Sequence, residues 1–87
     1  MKLWLVTAPW CTTCKPLKEY ITNHGFENII IKDLEKDFDE LKGLNVRSVP
    51  VLVFLSNDGT VLNYLPCGGM SPSQMLDAIE EKTKHGF

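Results

Sequence analysis

The sequence predicts an α/β fold, a four-stranded mixed sheet with helices on both faces, in the order β-α-β-α-β-β-α. Three observations carry this. Apolar runs of strand length, "KLWLV", "NIII" and "VLVFL", alternate with stretches of helical periodicity. The triplet "NDG" at 57–59 follows the last run as a hairpin turn. The tetrad "SPSQ" at 71–74 then opens a closing helix.

Lys2 to Val6 reads as a central strand covered on both faces. From about Thr13 to His24 the pattern is helical, with Cys14, Leu17, Ile21 and His24 on one face. Gly25 ends that helix, since glycine adopts the left-handed cap conformation freely. Asn28 to Ile31 is a second buried strand, β-branched in composition. "DLEKDFDELKG" predicts a short amphipathic helix with Leu34, Phe38 and Leu41 on its apolar side. Its acidic residues Asp37, Asp39 and Glu40 read as a solvated face rather than a site for a basic partner. Val51 to Leu55 and Thr60 to Leu65 form the hairpin. In the last helix Ser71 caps, Pro72 takes the first helical position and Gln74 completes a capping box. Met75, Leu76 and Ile79 face inward, and Glu80 and Lys84 are spaced for an i,i+4 pair. A βαβ unit crosses over right-handedly, so the first two strands are expected parallel.

Eighty-seven residues give one small domain, 1–87, with an ordinary 44% of apolar residues. The net charge of −2 offers nothing to a nucleic acid or an anionic membrane. No apolar stretch reaches the roughly 20 residues of a membrane span. The run Leu3 to Val6 is shorter than the h-region of a secretory signal, so a cytoplasmic protein is expected. Three cysteines are too few for a disulfide-built scaffold.

Two of those cysteines decide the chemistry. In "TAPWCTTCK", Thr7 to Lys15, Cys11 and Cys14 lie where the first strand passes into the first helix. A helix start presents unpaired N–H groups and the positive end of the macrodipole, which favour a thiolate. Cys11 is then the exposed nucleophile. The Thr13 and Cys14 amides, the Thr13 hydroxyl and the charge of Lys15 lie beside it. Cys14, one turn on and inward, is the resolving thiol. Zinc would need four ligands, and Cys67, His24 and His85 are scattered without ligand spacing, so no metal is expected. A purely structural disulfide across so short a ring gains little. Dithiol–disulfide exchange is the favoured reading, with the redox-active Cys11–Cys14 pair and no other cofactor. Pro16 fits if the first true turn begins near Cys14, leaving Cys11, Thr12 and Thr13 in an irregular lead-in.

These residues resemble the thioredoxin–glutaredoxin superfamily. "WCTTCK" resembles its W-C-x-x-C-K site, "VRSVP" (46–50) the segment ending in its cis-proline, and "PVLVFLSNDGTVLNYLPCGG" the hairpin that closes on a glycine beside the site. The resemblance covers nearly the whole chain and implies a minimal thioredoxin fold with glutaredoxin-like length. It implies a cis Val49–Pro50 bond and a substrate surface of Trp10, Thr12, Thr13, Val49, Pro50, Gly68, Gly69 and Met70. It implies protein disulfides as substrates and an upstream reductase, thioredoxin reductase rather than glutathione, with ribonucleotide reductase as one acceptor. A monomer is expected. Two departures stand out. Leu5 occupies the position where thioredoxins carry a buried aspartate, and "GGMSP" offers glutathione only Ser71, already needed as a helix cap. The alternatives are a glutathione-dependent glutaredoxin and a redox-inert module of the same fold. Cys67 is expected to be a small half-buried strand residue, and neither His24 nor His85 is given a catalytic role.

Overall fold

The strand signals are realised as a four-stranded sheet in the computed structural model, which describes residues 2–25, 29–44, 46 and 48–85, the last without its side chain. The elements are β1 (Lys2–Thr7), α1 (Cys14–His24), β2 (Ile29–Asp33), α2 (Phe38–Leu41), β3 (Val51–Leu55), β4 (Val61–Pro66) and α3 (Pro72–His85). The sheet order is β2-β1-β3-β4. β1 pairs parallel with β2, Leu3 opposite Ile29, and antiparallel with β3, Val6 opposite Val51. β3 and β4 are antiparallel, with a register shift between Phe54 and Leu55.

Alternation along the two central strands sorts side chains to two cores. Leu3, Leu5, Leu52 and Phe54 face one way and pack with Leu17 and Ile21 of α1 and Met75 and Ile79 of α3. Val6, Val51, Val53 and Leu55 face the other way and meet Leu41 of α2. Every residue of β3 is buried, as a central strand covered on both faces requires. Each fully buried leucine contributes roughly 1.5–3 kcal/mol relative to an exposed one.

Several expectations are corrected. β2 is an edge strand: Ile29 is buried but Ile30 is 45% exposed. The expected position of Asn28 in that strand falls outside the described residues. The acidic helix shrinks to four residues, Phe38–Leu41. Its first half folds instead around two aspartates. Asp33 Oδ1 accepts from the Glu35 and Lys36 amides at 2.8 and 3.1 Å, and Asp37 Oδ2 accepts from the Asp33 amide at 2.8 Å. Short acidic side chains that hold nearby amides compete with the helix. Phe38 consequently points outward, 60% exposed, while Leu41 stays buried. Glu40 pairs with Lys32, whose ammonium also lies 4.8 Å from the Trp4 ring centroid. Glu80 and Lys84 form no ion pair; the hydroxyl of Thr83 instead donates to the carbonyls of Ile79 and Glu80.

Caps and turns follow the sequence closely. Gly25 closes α1 at φ 65°, its N–H donating to the Ile21 carbonyl at 3.1 Å. Only glycine takes that conformation without cost. His24, expected on the inward face, is exposed; it stacks on Tyr20 at 3.9 Å, and its Nδ1 lies 2.9 Å from the Tyr20 carbonyl oxygen. Ser71 and Gln74 form the reciprocal box: the Ser71 amide donates to Gln74 Oε1 at 2.9 Å, and the Gln74 amide to Ser71 Oγ at 3.3 Å. The hairpin is a three-residue loop. The Ser56 amide donates to the Thr60 carbonyl at 2.8 Å, and the Gly59 amide to the Ser56 carbonyl at 3.0 Å. Among the described residues no helix is long and apolar enough to cross a membrane.

Candidate redox site

The register brings four connections to one end of the sheet. Thr7 at the end of β1 lies opposite Asp33 at the end of β2. Val6 lies opposite Val51 at the start of β3, which faces Pro66 at the end of β4. The Ala8–Thr13 lead-in, Val49–Pro50 and the turn after Pro66 therefore share the same rim. The Cys67 amide donates to the Pro50 carbonyl at 3.0 Å, and the Met70 amide to the Cys67 carbonyl at 3.0 Å, so Gly68 and Gly69 are tied to the proline.

Cys11 and Cys14 are joined as a disulfide, their Cα atoms 5.4 Å apart. The helix begins at Cys14, so Pro16 falls in its first turn, where its missing N–H costs nothing. Cys11 is held in the lead-in by its amide, which donates to the Ala8 carbonyl at 3.1 Å. The two sulfurs differ in access. Cys14 is 0% exposed, while Cys11 is half-buried. Thr13 is the N-cap residue, yet its side chain makes no capping bond. Its hydroxyl stands 3.4 Å from Cys11 Sγ instead.

The Val49–Pro50 peptide is cis. Pro50 is buried and Val49 packs on the α2-side core. Arg47, within the motif "VRSVP", falls outside the described residues. Trp10 stands 65% exposed beside Cys11. Gly69 has φ 81°, and a Cβ built on Gly68 or Gly69 meets nothing within 4 Å. Backbone conformation therefore demands glycine at 69, while local packing demands it at neither. Met70, expected on the rim, is half-buried against the α1–α3 core. Cys67, expected half-buried in a strand, is wholly buried just past the end of β4. Its thiol donates to the Leu65 carbonyl at 3.3 Å, and burial pushes its pKa up to about 11. Leu5 is 0% exposed within the apolar core. Among the described residues no three His, Cys, Asp or Glu side chains gather as metal ligands would; the His85 side chain lies outside them.

The fold has counterparts among solved structures. A thioredoxin from Malassezia sympodialis superposes with a TM-score of 0.66 over 92% of this chain and 76% of its own, at 20% identity. The chain has the thioredoxin fold. A disulphide isomerase from Xylella fastidiosa Temecula1 superposes with a TM-score of 0.70 over 94% of this chain and 77% of its own, at 19% identity. No family model matches the sequence. Within this thioredoxin fold the cysteine pair sits at the start of the first helix and the cis-proline at the start of the third strand.

One feature escaped sequence reasoning. A groove of about 500 Å³ runs beside the cysteine pair along the outer side of α1. Pro9 and Thr12 line one end, with Lys15, Lys18, Glu19 and Thr22 along the helix and Cys11 in the wall. Of the residues assigned to the site from the sequence, only Cys11, Thr12 and Lys15 line it. The signal is the polar stripe 15, 18, 19, 22 at helical spacing, flanking the buried face of Cys14, Leu17 and Ile21.

Proposed function

We propose that this protein is a dithiol–disulfide oxidoreductase that reduces protein disulfides through Cys11 and Cys14. The observation carrying this reading is the asymmetric pair: one sulfur accessible, the other sealed, joined at a helix start. Reduced Cys11, as a thiolate, attacks one sulfur of a substrate disulfide. A new S–S bond forms to Cys11, the substrate bond breaks, and the departing thiolate takes a proton. Cys14, deprotonated, attacks Cys11 Sγ; the mixed disulfide breaks, Cys11–Cys14 closes and the second substrate thiol leaves. Two electrons and two protons pass to the substrate, and a dithiol reductant restores the pair. The helix dipole and the Thr13 hydroxyl stabilise the attacking anion. Trp10 offers an apolar anchor, and Val49–Pro50 with the Gly68–Met70 turn forms the opposing docking surface.

The expected upstream donor is thioredoxin reductase rather than glutathione, with ribonucleotide reductase as one acceptor. Ser71 supports that preference, because its hydroxyl is engaged in the α3 capping box. Insulin reduction by dithiothreitol, followed as turbidity, tests the reading. Acceleration over buffer, lost in Cys11→Ser, is expected. An unaccelerated reaction would indicate a redox-inert module, and faster recycling by glutathione than by thioredoxin reductase with NADPH would indicate a glutaredoxin.

A further inference from the structure

The geometry points to a second recognition element: the α1 groove selects substrate polypeptides carrying an acidic side chain a few residues from the disulfide, with Lys15 and Lys18 as its cationic contacts. This rests on the oxidoreductase reading and names the substrate class of that site.

Cys11 forms part of the groove wall, so a chain bonded to its sulfur has the groove as an immediate path. From Cys14 to Lys18 the helix rises about 6 Å, roughly two residues of extended polypeptide. A carboxylate two or three positions from the substrate cysteine therefore comes level with the lysines. Among the described residues neither ammonium makes an ion pair; the one pair there is Lys32–Glu40. Lys18 also feels the Asp33 carboxylate, whose Oδ1 already accepts from two backbone amides. The lysine stems and Pro9 supply apolar walls, leaving the charged heads to discriminate.

Glu19 limits the preference to the near end of the groove. It follows Lys15 by one turn, lines the same cavity and repels a carboxylate placed further along. The overall charge of −2 gives no general attraction for acidic chains, so the selectivity depends on position.

Four matched disulfide peptides test this, with single-turnover reduction by the pre-reduced protein as the readout. One carries Glu two residues from the cysteine, one Gln and one Lys at that position, and one Glu six residues away. The near-Glu peptide is expected to react about three- to tenfold faster than the Gln peptide, the range of two partly exposed ion pairs. That ratio should fall toward one in 1 M salt. Lys18→Glu should reverse the order in favour of the Lys peptide, Lys15→Glu should do the same by an independent change, and Glu19→Lys should raise the near-Glu ratio. Equal rates for all four peptides, an equal advantage for the distant Glu, or an unchanged ratio in both lysine variants would overturn the groove assignment and leave the oxidoreductase reading intact. Failure to reduce any of the four would overturn both.

Discussion

The hydroxyl of Thr13 lies 3.4 Å from the sulfur of Cys11, although Thr13 occupies the N-cap position where that oxygen would ordinarily serve the helix amides. The side chain has been turned from structure to the sulfur. Thr13→Val keeps the shape and removes one hydrogen bond to a thiolate, worth about 1 kcal/mol. The expected result is a loss of about fivefold in exchange rate at neutral pH, since 1.4 kcal/mol is tenfold. The alkylation midpoint of Cys11 should move upward. A midpoint identical to wild type would remove Thr13 from the chemistry.

Unequal access to the two sulfurs makes the intermediate trappable. In Cys14→Ser the mixed disulfide has no resolving thiol, and intact mass after incubation with a disulfide peptide should show one adduct on Cys11. Cys11→Ser should show none, because Cys14 is wholly buried.

Cys67 should be silent in the native protein. Its folded pKa is raised from 9.0 to about 11, and no sulfur surface is exposed. Ellman titration of the oxidised protein at pH 8 should find no thiol when folded and one in denaturant. A native reaction at Cys67 would mean that the turn after β4 opens.

The hairpin carries a pH-dependent contribution. The Ser56 hydroxyl and the Thr60 amide donate to Asp58 and lower its pKa from 3.8 to about 2. A depressed folded pKa means stabilisation that is present above about 3.8 and lost as pH falls through about 2. Asp58→Asn should therefore lower the melting temperature at pH 7, and the difference from wild type should shrink across that acid window. A constant difference from pH 7 to pH 2 would contradict the assignment.

The α3 box gives a test of stability remote from the chemistry. Ser71→Ala removes the acceptor for the Gln74 amide and should cost about 1 kcal/mol. For a chain this size that corresponds to roughly 4–8 °C in melting temperature. Exchange activity at 25 °C should be unaffected.

Local signals were legible wherever one residue type has one backbone use. Gly25 at the end of α1, Ser71 with Gln74 at the start of α3, and the turn before Gly59 each appear where their chemistry requires. The cysteine pair was equally plain, because strand-to-helix passage could be read on either side of it. The cis-proline came through resemblance, since the bare sequence favours trans by a wide margin. The acidic helix is shorter than its apolar spacing suggests because Asp33 and Asp37 compete for the amides nearby. Strand order is not written in the β-branched run 29–31, which reads the same in a covered strand as at the sheet edge where Ile30 lies. The α1 groove was invisible for a similar reason: it exists only once the Ala8–Thr12 segment lies against the outer side of the helix.

The antiparallel pairing of β1 and β3 sets Val6 against Val51 and Lys2 against Leu55, so the Ser56–Thr60 loop projects from the end of the sheet remote from the cysteines. The molecule thus has a working pole and a handling pole. A surface tether, dye or fusion partner attached by lengthening that loop would leave the sulfur end facing its substrates unobstructed.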